Sequence, residues 1–318
     1  MNTEIKDRFL RRFKKEKSKT TYNTNINMFY RYILGKKIFD TDEELLKTIS
    51  FKDVEDYFYD MEEDGKYKKS TIKTKIIILR EFFKYAIDND IMKKDLTKPI
   101  PLKQYSYNEI QEDKIQKYIP TIQEVKKLIE TTYLSEPDCR CEDFTNARNR
   151  FLIALLSCTG VRIDEALGIE MHDIESVNDG CYMINIHGSR VKNGKAKRVP
   201  IPQGIIKYFE EYKVQRMIRN EKFNSTLLFF GIRGKKLSGN KINDAIDKYS
   251  QRANIDNHIT NHCFRYFLTN YLRSKGYDIG LVYKIMGWSE KGIITNYHGK
   301  ATSKTYDELK LKMCDVLG

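Results

Sequence analysis

The stretch Phe151-Leu152-Ile153-Ala154-Leu155-Leu156-Ser157-Cys158-Thr159-Gly160-Val161-Arg162-Ile163-Asp164-Glu165-Ala166-Leu167 decides how the larger part of this chain folds. Phe151 to Leu156 is an unbroken apolar run, the pattern of a buried segment rather than of a half-exposed face. Gly160 closes it with a residue suited to the left-handed end of a helix. Arg162 then sits at the start of a new helix, where free backbone N–H groups favour an anion. Its guanidinium stays charged and can donate two parallel bonds to a phosphate. Glu165, three residues on, shares the helical face and can orient a neighbour. Alone, the two residues read first as a surface ion pair.

Working outward toward the C-terminus, Cys181–Ile186 and Ala196–Ile201 are strand-like and are joined by a polar turn over residues 188–195. Lys192 lies in that turn, with Arg190, Lys195, Lys197 and Arg198 crowded around it. From residue 203 onward the pattern returns to helices with short polar joints. Three short boxes follow: His262-Cys263-Phe264-Arg265, Met286-Gly287-Trp288, and Thr295-Asn296-Tyr297. Tyr297 falls nine residues after the only tryptophan, in a chain with 21 tyrosines and 57 lysines and arginines, so no single member is informative. Their conjunction is. Breaking a phosphodiester without a metal requires an in-line nucleophile, cationic donors for the phosphate oxygens and a proton for the leaving oxygen. Arg162, Lys192, His262, Arg265, Trp288 and Tyr297 supply all three, which points to phosphoryl transfer through a covalent phosphotyrosine.

Toward the N-terminus the chain reads as helical. Tyr22, Ile26, Phe29, Tyr30 and Ile33 form one stripe, and Val54, Tyr57, Phe58 and Met61 form another behind a helix start at Ser50 and Asp53. The clearest helix spans about Ser70 to Asp88, and four short helices account for the region. Residues 96–118, with Pro99 and Pro101 and no sustained period, read as an exposed linker. Thr121 and Glu124 restart order with capping-box spacing. The basic stretch Arg11 to Lys19 reads either as a DNA-contacting arm or as a solvated helix face.

The totals set bounds. Lysines and arginines exceed aspartates and glutamates by 57 to 44, a net charge of +13 that suits a polyanionic partner. No apolar run approaches the roughly 18–20 residues that span a bilayer. The first residues lack the apolar stretch of a secretory signal. The six cysteines, Cys139, Cys141, Cys158, Cys181, Cys263 and Cys314, match neither zinc-ligand nor redox spacing and are expected to be reduced thiols of a cytoplasmic, nucleoid-associated protein. No metal and no cofactor is implied.

Thr159 to Leu167 resembles the first-arginine box of the tyrosine recombinases, the phage integrase, Xer and Cre family. His262-Cys263-Phe264-Arg265-Tyr266 resembles the family's HxxR box, Met286-Gly287-Trp288 its LGH/W segment, and Tyr297 stands where the family's nucleophile falls. The likeness covers nearly the whole chain, from about residue 19 to 300. It implies a mainly α protein: a four-helix SAM-like core-binding domain over residues 1–95, a linker over 96–118, and a mixed α/β catalytic domain over 119–318. That second domain is expected to be mostly helical, with a small antiparallel sheet and a C-terminal tail helix.

The resemblance also implies roles. Tyr297 would attack the phosphate, leaving a 3′-phosphotyrosyl bond and a free 5′-hydroxyl. Arg162 and Arg265 would clamp the non-bridging oxygens, and His262 would hydrogen-bond the phosphate or manage the nucleophile's proton. Lys192, with Lys195 as its rival, would protonate the leaving oxygen. Trp288 replaces a common histidine and would donate its indole N–H, while Glu165 would support the site. Tyr306 is the competing nucleophile. The implied partners are double-stranded DNA with paired half-sites and a homotetramer that exchanges C-terminal tails, with accessory proteins left open. No room is expected for a separate arm-binding domain. Two other functions stay open: a type IB topoisomerase-like relaxing enzyme, and a DNA-binding regulator with a dead site.

Overall fold

In the computed structural model the described residues are 1–105, 118–134, 141–178, 181–191, 194, 196–278, 280, 282 and 286. The chain divides into two compact units, 1–115 and 116–318.

Among the described residues the first unit is built of helices: α1 (Glu4–Leu10), α2 (Glu16–Leu34), α3 (Asp42–Thr48), α4 (Phe51–Glu63) and α5 (Lys69–Asp88). The expected apolar stripes are the buried faces of α2, α4 and α5, with Ile26, Phe29, Val54, Ile76 and Phe83 withdrawn from solvent. Each such side chain contributes roughly 1.5–3 kcal/mol on burial. Ser50 caps α4 by accepting the Asp53 N–H, while the Asp53 carboxylate accepts the Ser50 N–H at 2.8 Å.

Among the described residues of this unit there are five helices rather than four. α1 and α3, of seven residues each, are too short to show a period in the sequence, and one carboxylate joins them. Asp42, 1% exposed in α3, accepts the Ile5 and Lys6 N–H groups of α1 at 3.2 and 2.8 Å. The segment read as an exposed linker also departs from expectation over its first part. Leu96, Ile100 and Tyr105 are buried in the first unit's core. Thr97 turns the chain by bonding Asp95, and Arg80 of α5 donates to the Thr97 carbonyl at 2.9 Å. Prolines end helical period without exposing the chain, so the break in period here is not a departure from the core.

The second unit holds α6 (Ile122–Thr131), α7 (Glu142–Thr159), the one-turn α8 (Ile163–Ala166), then β1 (Ile174–Asn178), β2 (Cys181–Ile186) and β3 (Lys197–Ile201). α9 (Gln203–Asn220), α10 (Gly239–Arg252) and α11 (Cys263–Ser274) follow. The unit is mostly helical with a small antiparallel sheet, as expected. α7 is the central element, buried almost all round and packed against α9, α11 and β3. The sheet order is β1-β2-β3, with Ile174 opposite Ile184 and Ile184 opposite Val199. β1 escaped the sequence reading because Ile174-Glu175-Ser176-Val177 is short and largely polar on its exposed face. Among the described residues no helix is long and apolar enough to cross a membrane.

Candidate active site

The site grows from the end of α7. Gly160 ends that helix in the left-handed conformation, with φ +59°, and releases the chain so that Arg162 can precede α8. The turn is tight. A methyl group on Gly160 would lie 2.7 Å from the Met286 Cε and 3.1 Å from Leu268 Cδ2. The carbonyl of the same glycine accepts a buried hydrogen bond from Nη1 of Arg265, which is carried on the first turn of α11. Nη2 of Arg265 donates to the Met286 carbonyl at 2.7 Å. A buried guanidinium thus ties α7, α11 and the backbone just before Gly287 and Trp288.

Arg162 and Arg265 are thereby brought into one electrostatic cluster. Burial, and secondly the Arg162 charge, push Arg265 down to about 10, so it is still a cation at neutral pH. Glu165 is 2% exposed and lies between cations. Its Oε1 accepts from Arg162 Nη1 at 3.2 Å, and its Oε2 accepts the Arg162 backbone N–H at 3.3 Å. The same Oε2 receives the ammonium of Lys197, on the first residue of β3. Burial pushes the Glu165 carboxyl upward, but Lys197 and Arg162 outweigh it and hold it below its ordinary value. Burial pushes Lys197 downward and Glu165 opposes this, while the charges of Arg265 and Arg162 add to the fall.

Two details correct the sequence reading. The backbone N–H at Arg162 is not left open for an anion, because the Glu165 carboxylate takes it. The basic residues of the β2–β3 turn are also not equivalent. Arg190 is bound to Asp173 and Glu170, Arg198 to Glu175 and Asn185, and Lys197 to Glu165. In the sequence Lys197 is only one of several basic residues around Lys192. Its partner lies 32 residues away on another element, so no local signal in the sequence marks it out.

His262 is exposed and immediately precedes α11, with its carbonyl accepting the Arg265 N–H at 3.1 Å. Lys192, Lys195, Trp288, Tyr297, Tyr306 and the tail 302–318 lie outside the described residues. So do Cys139, Cys314 and the Cys181 side chain, whereas Cys141 and Cys263 are free thiols. Of the remaining histidines, His172 contacts Glu170 and Asp173, His258 contacts Asp247, and His187 caps the turn before Arg190; His298 is outside the described residues.

Two guanidiniums, an ammonium and a buried carboxylate are gathered on a helical unit with a small sheet, and their cationic donors are of the type that suits a phosphate. The chain belongs to the phage integrase family, whose model matches residues 121–304. It is similar to the tyrosine recombinase XerD of Staphylococcus haemolyticus, 26% identical over 267 residues, covering 82% of this chain and 83% of that protein. A tyrosine recombinase of Agathobacter rectalis is 27% identical over 311 residues, covering 90% and 95%. Among solved structures, the XerH site-specific recombinase bound to its palindromic difH substrate superposes with a TM-score of 0.60 at 21% identity, over 93% of this chain and 77% of that one. A lambda integrase dimer bound to a core site gives 0.62 at 15% identity, over 94% and 98%. The expectation of a tyrosine recombinase is met.

Proposed function

We propose that this chain cuts and rejoins DNA at specific sites through a covalent phosphotyrosine on Tyr297. The observation that carries the reading is the bond from Arg265 to the Gly160 carbonyl, two residues before Arg162. It gathers two cations distant in sequence into one partly buried cluster, where a phosphate's two non-bridging oxygens can each meet a guanidinium.

In this reading the phenolic oxygen of Tyr297 attacks phosphorus in line, and the bond to the 5′ oxygen breaks. The negative charge that builds on the non-bridging oxygens is met by Arg162 and Arg265, already oriented before reaction. His262, one turn before Arg265, hydrogen-bonds the phosphate or takes the tyrosine's proton. Lys192 delivers a proton to the leaving 5′ oxygen, and Trp288 donates its indole N–H. Glu165 orients Arg162 and does not react. Because the phosphotyrosine conserves the energy of the broken bond, a 5′-hydroxyl from another strand reverses the step without ATP.

The partners follow. Net charge +13 favours double-stranded DNA. The similar proteins include a lambda integrase tetramer bound to a Holliday junction, which supports strand exchange between two paired sites by four copies of this chain. The tail 302–318, with Leu309, Leu311, Met313 and Val316, is assigned to docking on a neighbouring copy.

The test is a covalent trap. Purified chain incubated with a DNA library, then denatured, should retain DNA joined through Tyr297, and sequencing that DNA should return paired half-sites. Tyr297→Phe should retain none. Adduct surviving in that variant would move the nucleophile elsewhere, to Tyr306 first.

A further inference from the structure

We propose that Lys197 is a positioning residue that keeps the site cationic by sharing Glu165 with Arg162. The inference rests on the reading of Arg162 and Arg265 as the phosphate grip. A buried carboxylate beside a phosphate-binding arginine is a liability as well as a support. It fixes the guanidinium, yet it cancels one of the two charges that the arginines bring and repels the phosphate that must approach them.

The geometry shows how that liability is offset. Glu165 uses Oε1 for the Arg162 guanidinium, at 3.2 Å. Its other oxygen receives the Lys197 ammonium and the Arg162 N–H. With Lys197 in place the carboxylate's charge is divided between two cations, and the cluster regains the positive charge that Glu165 removes. The ammonium is well placed for this role because it comes from the first residue of β3, whose backbone is fixed by pairing with Ile186 of β2. Burial and the two arginines act together to discharge Lys197, and Glu165 acts to keep it charged. Each partner therefore maintains the other's ionisation. Lys197 needs no contact with DNA to act: it sets how much of the Arg162 charge a phosphate meets.

A merely structural lysine and a charge-balancing one predict different double variants. The assay is the rate of adduct formation by the full chain on a suicide duplex built from the DNA recovered in the covalent trap. Each variant is assayed well below its own thermal midpoint. Lys197→Met should slow adduct formation about tenfold to a hundredfold, the size of one charge-assisted hydrogen bond in the transition state. Lys197→Arg should restore most of the rate. Lys197→Met combined with Glu165→Gln should recover most of it too, because removing the carboxylate removes the charge that Lys197 was there to offset. A Lys197→Met rate equal to wild type, or a double variant no faster than Lys197→Met, overturns the proposal while leaving the phosphotyrosine reading standing. A wild-type chain that forms no adduct at all brings down that reading first, and this one with it.

Discussion

Two regions of the second unit bury arginines, and they do so for different purposes. Arg148, Arg150 and Arg216, set on α7 and α9, are each 3–7% exposed. They are held mostly by carbonyls, neutral side chains and rings, and Arg150 also pairs with the half-exposed Glu211 carboxylate. Arg216 donates to the carbonyls of Ser225 and Leu227 at 2.8 and 2.7 Å, and Arg150 to the Thr132 carbonyl at 3.1 Å with its guanidinium over Tyr133. These are staples: a planar fork satisfies carbonyls that loop geometry leaves without helix or sheet partners. At the Gly160 turn the arrangement differs. Arg265 bonds carbonyls in the same manner, but Arg162 stands close enough to depress it, and Glu165 and Lys197 complete a crowd of charges. Burial of an arginine is therefore no mark of function. Like charges gathered in one place are better evidence, because an anion such as phosphate would relieve their repulsion.

The comparison breaks most readily at its largest expected effect. Arg162→Ala should slow adduct formation by about 10²–10³, the usual cost of removing one transition-state donor. Its thermal midpoint should move little, since the side chain is partly exposed and Glu165 keeps Lys197. Arg216→Leu should do the reverse. Loss of the carbonyl contacts should lower unfolding free energy by about 3 kcal/mol in urea titrations, with adduct formation by the folded fraction unchanged. An Arg216→Leu protein that is stable but slow would erase the distinction between staple and grip.

That distinction was only half legible beforehand. The stripes on α2, α4 and α5 were readable because an apolar core follows helical period over many residues, and the capping pairs Ser50–Asp53 and Thr121–Glu124 are local signals. Gly160 and Arg162 were readable because a left-handed helix end and a following helix start are also local. The rest depended on contacts across the chain. Arg148, Arg150 and Arg216 look in sequence like any solvated lysine or arginine, since their carbonyl partners are set by tertiary packing. The role of Lys197 was hidden for the same reason: its partner lies 32 residues away on another element. α1 and α3 were missed because seven residues hold too few turns to display a period.

A smaller effect sharpens the comparison at the turn itself. Gly160→Ala forces an L-residue into φ +59° and brings a methyl group against Met286 and Leu268. The conformational cost is about 1–2 kcal/mol. Met286 can swing its side chain aside, but its carbonyl is the acceptor for Arg265. Calorimetry should register a lowered midpoint, and adduct formation should fall about tenfold, since a displacement of 1 Å can cost still more. A variant that loses stability and keeps full activity would show that Arg265 is seated by α11 alone.

The smallest effect separates the two regions by pH. Because Lys197 and Arg162 overcome the upward push of burial, Glu165 titrates below its ordinary value in the folded chain. A carboxylate depressed on folding adds stability that is fully present above its unfolded pKa, about 4.3. That stability is lost as the pH falls through the folded value. The gap in unfolding free energy between wild type and Glu165→Gln should accordingly be constant from neutrality to about pH 5 and should close on further acidification. The gap between wild type and Arg216→Leu should not follow it, because the carbonyls that hold Arg216 do not titrate in this range. Other titrating groups are common to each pair and cancel in the difference. Urea titrations at a series of acid pH values measure both gaps. Parallel curves for the two variants would mean that Glu165 is held by packing rather than by charge, and that the site is only another staple.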